Sequence, residues 1–164
     1  MASTQQHAIF TALTQFPPPP RHDREKQKYI ETDAASLYAL AEAYRQAAQP
    51  LWQSGMNLDA IERLPFRLMA AHAIELCLSA YLLKSGVALE DMRGFQHNLT
   101  VRLVAAEGKG LLLRKRTVGH LLRMDKDREY LMTRYNPAPL ALSELTRIKA
   151  TLDELFDKTG TAFN

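Results

Sequence analysis

The stretch PFRLMAAHAIELCLSAYLLKSG, residues 65–86, decides the fold. Phe66, Met69, Ala70, Ala73, Ile74, Cys77, Leu78, Tyr81 and Leu82 recur at helical spacing, and Leu68, Leu76 and Leu83 widen the stripe. A helix apolar on most sides belongs at the centre of a bundle. Pro65 suits the first turn, where its missing N–H costs nothing. Gly86 suits the residue just past the end. Arg67, His72 and Glu75 are the polar exceptions, and burying either His72 or Glu75 costs free energy unless it finds a partner. These two stand three apart, so they are neighbours on one face. Two readings stay open. One is a satisfied polar pair that sets helix register, with His97 or Arg134 brought across from other helices. The other is a polar pocket of His72, Glu75, His97, Arg134 and Tyr135.

Working outward, Thr32 or Asp33 can cap a preceding helix. Its apolar face is Leu37, Leu40, Ala41, Tyr44, Ala47, Ala48 and Leu51, and Pro50 is expected to end or kink it. Gly55 and Asn57 mark a loop. After residue 86, a loop to Gln96 leads to a short helix from Asn98, a plausible cap, to Glu107, stopped by Gly108. A fourth helix is expected between Leu111 and Tyr135, with Thr117 and Gly119 as points of interruption. Asn136-Pro137-Ala138-Pro139 is a breaker. The last helix runs from Leu140 or Ser143 to Phe156 on Leu142, Leu145, Ile148, Leu152 and Leu155, with Gly160 beyond it. Residues 1–32 read as an N-terminal arm. Pro17 to Pro20 hold it extended, and Ile9, Phe10, Leu13 and Phe16 form one apolar face before them. No run alternates long enough for a strand. The expectation is an all-α, four- to five-helix up-and-down bundle over residues 33–160, behind the arm.

The 164 residues suffice for one domain with its own core, and 46 % hydrophobic with 24 % charged residues is ordinary for a globular chain. A single cysteine excludes an internal disulfide and argues against a cysteine metal site. No secretory signal is visible. His72 and Glu75 interrupt the longest apolar stretch, so no membrane span is expected and the protein reads as cytoplasmic. From Arg93 to Arg134 ten Lys or Arg face four acids, a local charge of +6 in a chain of +3. This basic half reads either as a solvated helix face or as a surface for an anionic partner, RNA, DNA or a nucleotide. A Gly-rich phosphate loop, a Gly-x-Ser-x-Gly elbow and a His-Glu-x-x-His helix are all absent, and no cofactor or metal is expected.

His72-Ala-Ile-Glu75-Leu, continued by Ala80-Tyr81-Leu82-Leu83-Lys84-Ser85-Gly86, resembles the core helix of HEPN-type (higher eukaryotes and prokaryotes nucleotide-binding) domains. His97-Asn98-Leu99 is similar to a His-Asp-Leu turn of bacterial members, with Asn98 in place of the acid. The first helix and Arg134-Tyr135-x-Pro137 are similar too, so the likeness covers about residues 33–156. Ser79 stands where many members carry a lysine. The resemblance implies a helical bundle that forms a homodimer. It also implies an RNA- or nucleotide-associated binding or interaction module of a bacterial stress, defence or toxin–antitoxin system, with a cognate partner such as a nucleotidyltransferase or an antitoxin.

Active members of that family are metal-independent endoribonucleases with an Arg-x(4–6)-His motif. A histidine there moves the 2′-hydroxyl proton and an arginine stabilises phosphorane charge. Arg114 and His120 match the spacing, and Arg67 and His72 match it as an alternative pair. Five residues along a helix turn by roughly 140°, which separates Arg67 from His72. Gly119 is expected to loosen the helix between Arg114 and His120. Arg114, Lys115, Arg116 and Arg123 are the candidate phosphate contacts, since guanidinium groups chelate phosphate oxygens. Tyr130 and Tyr135 are the nearest aromatic residues for stacking. A non-catalytic protein-interaction subunit is the third reading.

Overall fold

The apolar stripe of residues 64–84 builds the helix that organises the bundle. This computed structural model describes residues 32–55, 58–136 and 142–163. They form seven helices and no strand: α1 (Ala34–Gly55), α2 (Leu64–Lys84), α3 (Leu89–Gly94), α4 (Leu99–Gly108), α5 (Lys115–Lys126), α6 (Glu129–Tyr135) and α7 (Leu145–Gly160). The all-α bundle expected from the sequence is therefore present, with more helices than expected. The N-terminal arm, including Ile9, Phe10, Leu13, Phe16 and the prolines, lies outside the described residues.

α2 packs against α1, α7, α4 and α6, and α5 packs on α4, α6 and α7. Ile74, Leu78 and Leu82 of α2 are fully buried with Ile148, Leu152 and Leu155 of α7, Leu103 of α4 and Leu121 of α5. Burying each such side chain stabilises the fold by about 1.5–3 kcal/mol before chain entropy is counted. By length and composition α2 could cross a bilayer, contrary to the sequence expectation; most of that apolar segment is buried inside the bundle. Cys77 sits in this core, 3.0 Å from the Thr159 hydroxyl, and burial pushes its thiol up to about 12.

The helix ends follow the expected chemistry in several places. Asp33 caps α1 by accepting the Ser36 N–H at 2.7 Å, and Asn98 caps α4 by accepting the Val101 N–H at 2.8 Å. Pro65 lies in the first turn of α2. Beyond α2, the Gly86 N–H bonds the Leu83 carbonyl and the Val87 N–H bonds the Leu82 carbonyl, with Gly86 at φ 83°. This pattern needs a left-handed residue, which glycine supplies without steric cost.

Other boundaries differ. Pro50 does not end α1, which continues to Gly55. A proline removes only one helical N–H bond, and the extra turn carries Trp52 to Phe66, ring centroids 5.5 Å apart. The loop after Gly86 contains α3. Gly108 closes α4 from within, and the left-handed residue is Gly110 at φ 95°. The expected fourth helix is two. Thr117 and Gly119 lie inside α5, and the chain breaks instead at Asp127 and Arg128, the latter at φ 51° and ψ 40°. α7 begins at Leu145 and includes Gly160.

Candidate functional site

Two polar arrangements stand out from the apolar bundle. The first starts at Glu75, buried on α2. His97 meets it from the α3–α4 turn, with Nδ1 3.1 Å from one carboxylate oxygen and 3.3 Å from the other. Arg102, buried on α4, supplies the second partner, Nη2 to Oε1 at 3.3 Å. Arg102 Nε donates to Ser79 Oγ at 3.0 Å, and Nη1 donates to the Asn98 carbonyl at 3.3 Å. A buried carboxylate next to a buried guanidinium is tolerable because each has partners; removing one leaves an uncompensated charge. His97 stacks on Tyr130 of α6, ring centroids 4.5 Å apart. The Arg134 guanidinium lies 4.0 Å over the same Tyr130 ring.

Of the pocket expected from the sequence, Glu75, His97 and Arg134 therefore come together. Tyr135 does not join them; it is 78 % exposed. His72 turns towards α1, edge-on to the Tyr44 ring at 4.5 Å, and its buried Nδ1 has no hydrogen-bond partner. Burial lowers the His72 pKa, opposed by Glu75 and reinforced by Arg134 and His97. Arg102 went unnoticed in the sequence, although a lone cation in the apolar run Leu99–Ala106 is a signal of a buried partner. Ser79, the position off the family pattern, is the residue that receives Arg102.

The second arrangement is the N-terminal end of α5. Glu154 of α7 accepts the Arg114 N–H at 2.7 Å and the Thr117 hydroxyl at 2.6 Å, so a carboxylate from another helix satisfies these donors at the start of α5. Arg147 donates to Thr117 Oγ1 at 2.9 Å and to Thr151 Oγ1 at 3.0 Å. Burial, then Arg116, lowers its pKa; Arg123 and Arg114 act the same way and Glu154 opposes them. Four guanidinium groups thus share one field with one nearby carboxylate. An open cavity of about 300 Å³ lies among Arg114, Arg116, Thr117, Thr146, Arg147 and Glu154. Arg114, Lys115, Arg116 and Arg123 are all exposed.

The proposed catalytic pairs are not assembled. His120 is fully buried on the inner face of α5, Nδ1 2.7 Å from the Thr151 hydroxyl, whereas the Arg114 side chain is 81 % exposed. Gly119 does not loosen the helix between them. Burial first, with Arg147 and Arg123, lowers the His120 pKa to about 4, so the ring is neutral near pH 7. Arg67 donates to the Ser143 carbonyl in the link before α7 and does not turn towards His72. Among the described residues no three His, Cys, Asp or Glu side chains are grouped to hold a metal ion. No protein-family model, curated protein or solved structure matches the chain.

Proposed function

We propose that this protein is an RNA- or nucleotide-associated binding module of HEPN-like character, working without a catalytic Arg114/His120 pair. The observation that carries the reading is the cluster of Arg114, Arg116 and Arg147 around an open cavity with one carboxylate, Glu154, among them, and with the charge of Arg123 acting on Arg147. Clustered guanidinium groups with excess positive charge attract phosphate and chelate its oxygens; Arg116 and Arg123 are exposed, and the exposed Arg114 guanidinium also faces Glu154 at 3.9 Å. Cleavage through His120 would need that ring to leave the core. A role in a bacterial stress, defence or toxin–antitoxin system, as a cytoplasmic homodimer with a cognate partner, belongs to the same proposal and rests on the resemblance of residues 33–156.

The test is fluorescence anisotropy of a labelled single-stranded RNA across a salt series. The wild type is compared with Arg114→Ala/Arg116→Ala/Arg123→Ala. Binding weakens with salt, and the triple variant loses affinity. Its slope of log K against log salt falls by about 2, from roughly 0.7 for each phosphate that an arginine no longer neutralises. No binding by the wild type, or an unchanged slope in the variant, counts against the proposal.

A further inference from the structure

At the opposite end of α5 from Arg114 lies a separate cleft of about 680 Å³, bordered by Phe95, His97, Val101, Met124, Arg128 and Tyr130. Its size is that of a small-molecule site. His97 lies with one ring face on Tyr130, yet its side chain is 60 % exposed. His97 is thus both stacked on Tyr130 and exposed in the lining of the cleft. Glu75 holds the Nδ1 edge and is itself held by Arg102. The ring is thus oriented before anything binds, which lowers the ordering cost of stacking on it. Phe95, Val101 and Met124 add apolar wall, beside the polar Gln96 and Asn98.

The charge of the cleft is also defined. Asp125 lines it, but its carboxylate already accepts the Leu99 N–H at 3.0 Å and the Thr100 hydroxyl at 2.6 Å. Arg128 is exposed at the rim and makes no ion pair among the described residues. Both Arg128 (φ 51°) and Gln96 (φ 47°), another lining residue, hold left-handed backbone without being glycine. Such conformations cost free energy and cluster at active sites, ligand clamps and switch regions. The cleft thus has an exposed imidazole stacked on Tyr130, walls of mixed polar and apolar character, and a cation with no ion pair among the described residues.

We propose that this cleft binds a planar aromatic ring carrying an anionic group, with the ring extending the Tyr130–His97 stack and the anion meeting Arg128. A nucleobase with its phosphate has this chemistry, whether as a free nucleotide or within an RNA strand. The assignment uses none of Arg114, Arg116, Arg123 or Arg147, so it stands or fails apart from the basic cluster.

The test titrates AMP, ribose 5-phosphate and tetra-adenylate into the full chain and follows the His97 and Tyr130 ring resonances by NMR. AMP shifts both rings, and ribose 5-phosphate, which has no base, does not. His97→Ala and Arg128→Ala each weaken AMP binding about tenfold, in line with the worth of one stacked base or one charged contact. His97→Phe keeps a ring without the Glu75 hydrogen bond and retains binding to within about threefold. Shifts of the His97 and Tyr130 rings by tetra-adenylate but not by AMP identify an RNA strand as the source; shifts by AMP as well identify a free nucleotide, and either outcome supports the cleft. Ring shifts absent with both AMP and tetra-adenylate, equal ring shifts with AMP and ribose 5-phosphate, or an unchanged midpoint of the Tyr130 shift in both His97→Ala and Arg128→Ala overturns it.

Discussion

Glu154 shows how one side chain joins fold and candidate site. It ties α7 to the start of α5 through two hydrogen bonds to a charged acceptor, each worth about 1.5–3 kcal/mol. Glu154→Ala should therefore lower the free energy of unfolding by about 3 kcal/mol in urea titrations at pH 7. Burial raises the Glu154 pKa, but Thr117, the Arg114 N–H and the charges of Arg114 and Arg147 outweigh it, and the net value is lowered. A lowered carboxylate pKa stabilises the fold above the unfolded value and loses that contribution as pH falls through the folded one. The gap between wild type and Glu154→Ala should accordingly close in acid. At this scale the sequence was partly legible. The pair read from spacing was His72 and Glu75, with His97 or Arg134 brought across; His97 meets Glu75, while His72 turns to Tyr44. The burial of His120 was also readable, because Thr117, His120, Leu121 and Met124 fall at the spacing of one helix face. The motif spacing from Arg114 drew attention away from that periodicity.

Among the helices, those with strong local chemistry were the ones the sequence revealed. The stripe of α2, the caps Asp33 and Asn98, and Gly86 all act within a turn of themselves. The break between α5 and α6 has no glycine or proline to announce it; Arg128 takes a left-handed conformation that its sequence neighbours do not explain. The six-residue α3 begins at Leu89 with Ala88 at the N-cap position and no side-chain cap, so it too left no local mark. Gly119 misled for a related reason, since glycine weakens a helix without breaking it. It sits in regular α5, exposed, and a Cβ there would meet nothing within 4 Å. Gly119→Ala should stabilise the protein by about 1 kcal/mol, read as a rise in the thermal midpoint. A loss of stability instead would mean that α5 is not regular at this point. Gly119 also lies three residues from Arg116 and four from Arg123, on the same exposed strip. A small alanine should leave their access to phosphate intact.

For the molecule as a whole, the buried His120 and the half-buried His72 set a pH limit. His120 has a folded value of about 4 against an ordinary 6.5, and His72 is shifted in the same direction. A group that resists protonation in the folded state favours folding above its unfolded pKa. That contribution disappears as pH falls from about 6.5 towards 4 and amounts to about 3 kcal/mol for His120. Urea midpoints measured at pH 7 and pH 4.5 should show this loss in the wild type and a much smaller one in His120→Gln. An equal loss in both would assign the acid sensitivity to other groups. The all-helical class was legible because hydrophobic spacing reports it directly. The packing partners of α2 were not, since no periodicity within one helix names the helix that covers it.

The central position of α2 also orders events in time. Its most extensive partner, α1, is next to it in the chain, so that contact forms after only a short link has closed. Its contact with α7 must bridge about sixty residues, and closing so long a loop carries a larger entropic cost. The α1–α2 pair is therefore the natural nucleus, with α7 docking late. Shortening Ile74 should slow refolding, whereas shortening Ile148 should chiefly hasten unfolding. The molecule's lifetime in the native state would then be governed by its last helix, and its speed of arrival by its first two.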